Sequence, residues 1–150
     1  MLHLEGSFDT PAARAKVWEF LLNPNEIGPC FPDLRSLKVI SPDSFRAKVQ
    51  VGLSVVRGTM DFEFHTAETK PPSYAKLVGN GRGVGSTVEI QSNFTLTDSD
   101  SGTHLAWAAD VAIGGVMAGL GSRLLDSTSN KMVIQVIENI RTKLSQKSTA

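Results

Sequence analysis

The sequence predicts an α+β fold: a curved antiparallel sheet of about seven strands wrapped on one long C-terminal helix. Two observations carry it. Apolar residues recur at every second position in successive short runs between Leu34 and Val111, which is the period of half-buried strands. A single apolar stripe at helical spacing then runs to the end of the chain. With 150 residues, 41% of them apolar and 20% charged, residues 1–150 suit a single domain around one core.

The elements follow in order. Leu2, Leu4, Gly6 and Phe8 alternate with His3, Glu5, Ser7 and Asp9, so the chain opens on a strand. Thr10-Pro11 reads as an N-cap with proline in the first helical position. Ala13, Val17, Phe20 and Leu21 give a helix to Leu22, which Asn23-Pro24 stops. One further short helical turn fits residues 25–30. Strands are expected at 34–40 and around Phe45–Val51. Further strands fall on Met60–Phe64, 74–83, Val88–Leu96 and Leu105–Val111. Ser41-Pro42-Asp43-Ser44, Pro71-Pro72 and Asp98-Ser99-Asp100-Ser101-Gly102 supply turns. Short turns between consecutive strands require an antiparallel meander. A hairpin centred near 53–55 would set Arg46 opposite Glu63 and Lys48 opposite Asp61.

The final stripe is Met117, Leu120, Leu124, Met132, Val136, Ile140 and Leu144, widened by Val133 and Ile137. It covers about 29 residues, roughly 45 Å of helix. Arg141, Lys143 and Lys147 suit its C-terminal end. Gly114, Gly115, Gly119 and Gly121 loosen its start, which reads equally as a gate or as a close helix–sheet contact.

Composition excludes several classes. Lys plus Arg equal Asp plus Glu at 15 each, without the basic excess that phosphate contacts need. One cysteine, Cys30, allows neither an internal disulfide nor a redox pair, which points to a reducing, cytoplasmic setting. No signal peptide or membrane span is visible. No His or Cys cluster has metal-ligand spacing, so no metal and no cofactor are expected. Gly79-x-Gly81-x-Gly83-x-Gly85 joins two strands instead of opening a helix, so it is not a dinucleotide loop. His3, His65, His104, Asp61, Glu63 and Asp110 fall on the outward parity, so no catalytic residue is expected in the interior.

The segment Asn23-Pro24-Asn25-Glu26-Ile27-Gly28-Pro29-Cys30-Phe31-Pro32-Asp33-Leu34 resembles the "Pro-Glu…Cys…Pro-Gly" stretch of the carbon monoxide dehydrogenase G-subunit family. Ala118-Gly119-Leu120-Gly121-Ser122-Arg123-Leu124-Leu125-Asp126 looks like the start of that family's long helix. Gly79-Asn80-Gly81-Arg82-Gly83 falls at its glycine-rich strand. Asp33 stands where glycine is usual. The chain also ends soon after the helix, where some relatives carry a membrane-attaching extension. The resemblance implies a helix-grip fold of the START-like (SRPBCC) superfamily, which also holds lipid-transfer proteins and polyketide cyclases. It further implies an accessory role beside molybdenum-containing carbon monoxide dehydrogenases, and a link to the membrane or its quinone pool.

The expected function is therefore a non-enzymatic carrier of a hydrophobic small molecule, quinone or lipid-like. The alternatives are an adaptor bringing a molybdenum hydroxylase to the inner face of the membrane, or a cyclase-like enzyme. The candidate ligand-binding residues are Cys30 and Phe31 at the rim. Met60, Phe62, Phe64, Leu77, Ile90, Phe94 and Trp107 are assigned to the concave sheet, and Met117, Leu120 and Leu124 to the helix. Singly each reads as ordinary core; as a set they suit a pocket of ~300–1,000 Å³. Gly79, Gly81, Ala47, Ala75 and Ala109 share the inward parity and are expected to leave volume unfilled.

Overall fold

The computed structural model of the protein describes residues 2–53 and 55–148, with side chains through Gln146. The expectation for the Lys147 side chain, and Ser54 in the hairpin near 53–55, lie outside the described residues. The chain runs β1 (Leu2–Thr10), α1 (Arg14–Leu22), α2 (Pro24–Ile27), a 3-10 turn (Gly28–Cys30), β2 (Leu34–Ser41) and β3 (Ser44–Leu53). It continues through β4 (Val56–Lys70), β5 (Tyr74–Gly83), β6 (Ser86–Ser99) and β7 (Gly102–Gly115). A second 3-10 turn (Val116–Leu120) then leads into α3 (Ser122–Ser148).

All seven strands form one antiparallel sheet in the order β1-β7-β6-β5-β4-β3-β2. The meander from β2 to β7 is the one the turns predict, and β1 closes onto β7 with Leu4 opposite Ala109. Alternation decides which face is buried. On β3, Phe45, Ala47, Val49, Val51 and Leu53 are buried while the residues between them are half-buried or exposed. The β3–β4 register places Arg46 opposite Glu63 and Lys48 opposite Asp61, with ion pairs at 3.6 Å and 3.9 Å. These pairs lie on the wet convex face, where each contributes ~0–1 kcal/mol.

Two helix boundaries differ from the expectation. Thr10 does not cap a helix. It stays extended because it pairs with Thr103 in the ladder. Its hydroxyl accepts from the Ala12 N–H at 3.4 Å, and Thr103 donates to the Ala12 carbonyl at 2.8 Å. The helix starts at Arg14, with Ala13 at the cap position. The long helix starts later than its apolar stripe. Ser86 pairs with Gly115, so β7 runs on through that residue. Gly115 and Gly121 then take φ of 83° and 96°, conformations that side-chain-bearing residues rarely adopt. The helix resumes only at Ser122. Met117 and Leu120 thus belong to the 3-10 turn, whose Met117 N–H donates to Ser86 Oγ at 2.9 Å.

The interior divides into two apolar clusters. The larger is built by α1, α2, the first 3-10 turn and the C-terminal half of α3; it includes Val17, Phe20, Leu21, Ile27, Cys30, Ile140 and Leu144. The smaller holds Val51, Leu53, Val56, Met60, Val88, Val111 and Met117. Helix α3 spans both unequally. No residue from 122 to 136 is buried, whereas Ile137, Ile140 and Leu144 are. Asn139 adds a polar tie by donating to the Cys30 carbonyl at 2.8 Å.

Asp33, where the family resemblance leads one to expect glycine, has φ of 56°. Its carbonyl accepts from Gln50 N–H at 2.9 Å, which fixes the entry to β2. Aspartate tolerates the left-handed region better than most residues.

Leu144→Ala should lower unfolding free energy by ~2–5 kcal/mol, whereas Leu124→Ala should change it by less than ~0.5 kcal/mol; urea denaturation followed by circular dichroism compares them. In the same assay Asp33→Gly should be neutral or stabilising by up to ~1 kcal/mol, since it relieves a left-handed residue.

Candidate functional site

Between the two apolar clusters lies a cavity of about 120 Å³. Strand β3 contributes Val49, Val51 and Leu53; β4 contributes Met60, Phe62 and Phe64; β6 and β7 contribute Val88, Ile90, Val111 and Ile113. Met117, from the second 3-10 turn, and Phe31-Pro32, which follow the first, add to the wall. Helix α3 supplies Leu125, Thr128, Ser129, Met132, Val133 and Val136. Phe62 and Ile90 pack against both clusters. They have inward parity on central strands, yet they are only half-buried. The loosely seated half of the helix leaves them uncovered.

One wall is aromatic. Phe31 and Phe64 ring centroids are 4.8 Å apart, Phe45 stacks on Phe64 at 5.3 Å, and Phe62 stacks on Phe64 at 5.9 Å. These separations are favourable for ring pairs. Two glycines make room for this stack. Gly79 and Gly81 sit opposite Phe64 and Phe62 in the β4–β5 ladder, and a Cβ on either would strike the facing ring. They do not leave empty volume, as their small size suggests; the rings lie over them and occupy it.

The cavity brings together six of the candidate residues: Phe31, Met60, Phe62, Phe64, Ile90 and Met117. It leaves out the rest. Leu77, Phe94 and Trp107 are buried in the larger cluster. Trp107 lies against Gly6, its partner across the β1–β7 ladder. Cys30 is completely buried instead of lying at a rim, with Sγ 3.7 Å from the Glu26 carbonyl. Leu120 packs on the smaller cluster without reaching the cavity. Leu124 is 37% exposed and turns outward. The phase of α3 itself explains this. The inner face of α3 starts with Leu125 and continues through 128/129, 132/133 and 136, and Leu124 sits about 100° off it.

The residues missed include Val49, Val51, Val88 and Val111. Their inward parity was visible in the sequence, but their place beside empty space depends on how α3 lies over the sheet. Leu125, Thr128 and Ser129 fall outside the sequence stripe because that stripe carries the phase of Met117 and Leu120 on to Leu124, whereas α3 begins only at Ser122 with its own phase.

Titratable groups stand elsewhere. No Asp, Glu, His, Lys, Arg, Cys or Tyr lines the cavity among the described residues. His3 Nδ1 lies 2.7 Å from Asp110 and its Nε2 3.1 Å from Glu5, on the exposed face of β1 and β7. Hydrogen bonds to Asp110 and then Glu5 hold its pKa above the ordinary histidine value. His104 meets Asp9 at 2.8 Å on the same face. Burial pushes the Cys30 thiol up to about 11, which keeps it protonated and unreactive. No group of three His, Cys, Asp or Glu side chains could hold a metal among the described residues. Gly83 and Gly85 serve the β5–β6 turn, with Val84 between them at φ 47°.

One sheet wrapped on a C-terminal helix, with short helices after the first strand and an apolar cavity between, defines a helix-grip protein. The chain belongs to the carbon monoxide dehydrogenase G-subunit (CoxG) family, whose model matches residues 6–145. It is similar to a conserved protein from Geobacillus kaustophilus, at 27% identity and TM-score 0.83, over 97% of this chain and 96% of that one. A START superfamily protein from Mycobacterium smegmatis shares the fold at 8% identity and TM-score 0.70, over 96% and 97% of the two chains. A protein from Chromobacterium violaceum does so at 11% and 0.68, over 95% and 97%. No curated protein matches the chain.

Because the Cys30 pKa is raised from 9.0 to about 11 on folding, its contribution to stability is complete below pH 9 and is lost as pH rises toward 11. Cys30→Ala should flatten the fall in stability over that window in urea titrations. At pH 8, a disulfide-exchange reagent should label native Cys30 at least ~100-fold more slowly than the unfolded chain.

Proposed function

We propose that this protein binds and carries an apolar small molecule, lipid- or quinone-like, without transforming it. The observation that supports the reading is the lining of the cavity. Every wall residue is apolar except Thr128 and Ser129, and the charged side chains of β1, β3, β4 and β7 face outward. General acid–base catalysis needs a titratable group within hydrogen-bond reach of the reacting atom, and this lining offers none.

Size qualifies the ligand. About 120 Å³ is below the ~300–1,000 Å³ of typical ligand sites. It is nearer the ~150 Å³ that admits one benzene ring. A larger guest needs the wall to move, and the half of α3 without a buried residue is the part free to do so.

Family membership supports an accessory role beside a carbon monoxide dehydrogenase-type molybdenum hydroxylase, as part of the same proposal. No cofactor is called for. No helix among the described residues is long and apolar enough to cross a membrane, so contact with a bilayer would be made from its surface.

Organic extraction of the purified protein followed by mass spectrometry should release a lipid- or quinone-like compound in near-stoichiometric amount. An apolar fluorescent dye should compete for the emptied cavity. Val111→Trp, which fills the cavity from β7, should weaken dye binding at least ~10-fold while the far-ultraviolet spectrum stays native. A native protein that releases nothing and binds neither dye, fatty acid nor quinone would contradict the proposal. Co-purification with a hydroxylase from the host tests the accessory role, and Val111→Trp should leave that association intact.

A further inference from the structure

We infer that the cavity receives only the hydrocarbon end of an amphipathic molecule and leaves its polar head at the surface, so that the site selects by chain shape and is blind to the head group. The inference rests on the carrier reading and specifies what that carrier recognises.

Three observations lead to it. The interior has no partner for a charge. A buried head group such as a carboxylate, phosphate or ammonium would lose its hydration with no counterion to replace it. The exposed charges on the lining strands β4 and β6, Asp61, Glu63 and Glu89, project from the opposite face of the sheet, and the exposed Asp33, Asp126 and Lys131 that neighbour the lining are of mixed sign and outside it. The volume is small: about 120 Å³ takes a chain end of roughly six carbons, on the scale of the benzene ring admitted by a ~150 Å³ cavity.

The cavity also has an open side. Strand β2 pairs with β3 only as far as Val49, and Gln50 N–H is taken by the Asp33 carbonyl. Beyond that, Val51 and Leu53 have a neighbouring strand, β4, on one side only. These two wall residues therefore stand on a free sheet edge. Among the half-buried lining residues, which include Phe31, Pro32, Leu125 and Met132, Thr128 and Ser129 carry the hydroxyls. A chain entering there would meet valine, leucine, methionine and phenylalanine inside, and its head would stay among the hydroxyls and water.

The test uses straight-chain probes of about four to about ten carbons, each made with a carboxylate, a hydroxyl or a trimethylammonium head, titrated calorimetrically below their micelle concentrations. The expected gain is about fourfold per methylene. It should shrink below about twofold once the chain passes roughly six carbons. At equal length the three heads should agree within about threefold, since the protein's formal net charge of +0 adds no long-range bias. Val111→Trp should abolish the length dependence, which places the chain in this cavity. A gain that continues undiminished to the longest chain would overturn the inference, because the cavity would then take whole molecules. So would a head-group preference above about tenfold. If no probe of any length binds, the carrier reading itself fails, which is a different outcome from either of these.

Discussion

The structure depends on one problem of coverage. Seven strands bent into a single sheet present a concave apolar face that water must not reach, and few helical residues are available to cover it. Helices α1 and α2, the first 3-10 turn and the C-terminal half of α3 seal one end, where Ile140 and Leu144 are essentially without exposure. The N-terminal half of α3 crosses the other end with its side chains half-buried at most. The interior is thereby divided into two clusters, and the cavity is the seam between them.

Polar chemistry sorts to the other side by the same alternation. Period-two patterning that turns Met60, Phe62 and Phe64 inward must turn Asp61, Glu63 and His65 outward. Arg46 and Lys48 meet two of those groups across the ladder. His3 with Asp110 and Glu5, and His104 with Asp9, repeat the pattern at β1 and β7. This separation leaves the interior poor in the groups that catalysis or tight ion binding requires.

The glycines show how local chemistry serves the same end. Gly79 and Gly81 surrender side chains so that the Phe64 and Phe62 rings can lie flat over β5. Gly115 and Gly121 let the chain turn from the last strand into the long helix through conformations closed to other residues. The second pair matters most for the site, because the turn resets the helical phase. Met117 and Leu120 thus do not share the phase of α3, whose own inner face takes Leu125 and leaves Leu124 outside.

By itself the sequence determined the strands, their meander, the face each side chain takes and the cross-strand charge pairs. These follow from periods of two and from turn residues, which are local signals. It also carried the family resemblance, through the segment from Asn23 to Leu34. Only the tertiary structure decided where the long helix begins, which inward residues border empty space and which are plain core. Leu77, Phe94 and Trp107 have the same character and parity as Phe62 and Ile90. What separates them is that Leu77, Phe94 and Trp107 join the larger cluster under the helices while Phe62 and Ile90 border the cavity, and that is settled by contacts between segments far apart in the chain. Packing of this kind leaves no periodic trace, so a sequence can mark the face that holds the cavity without marking the cavity.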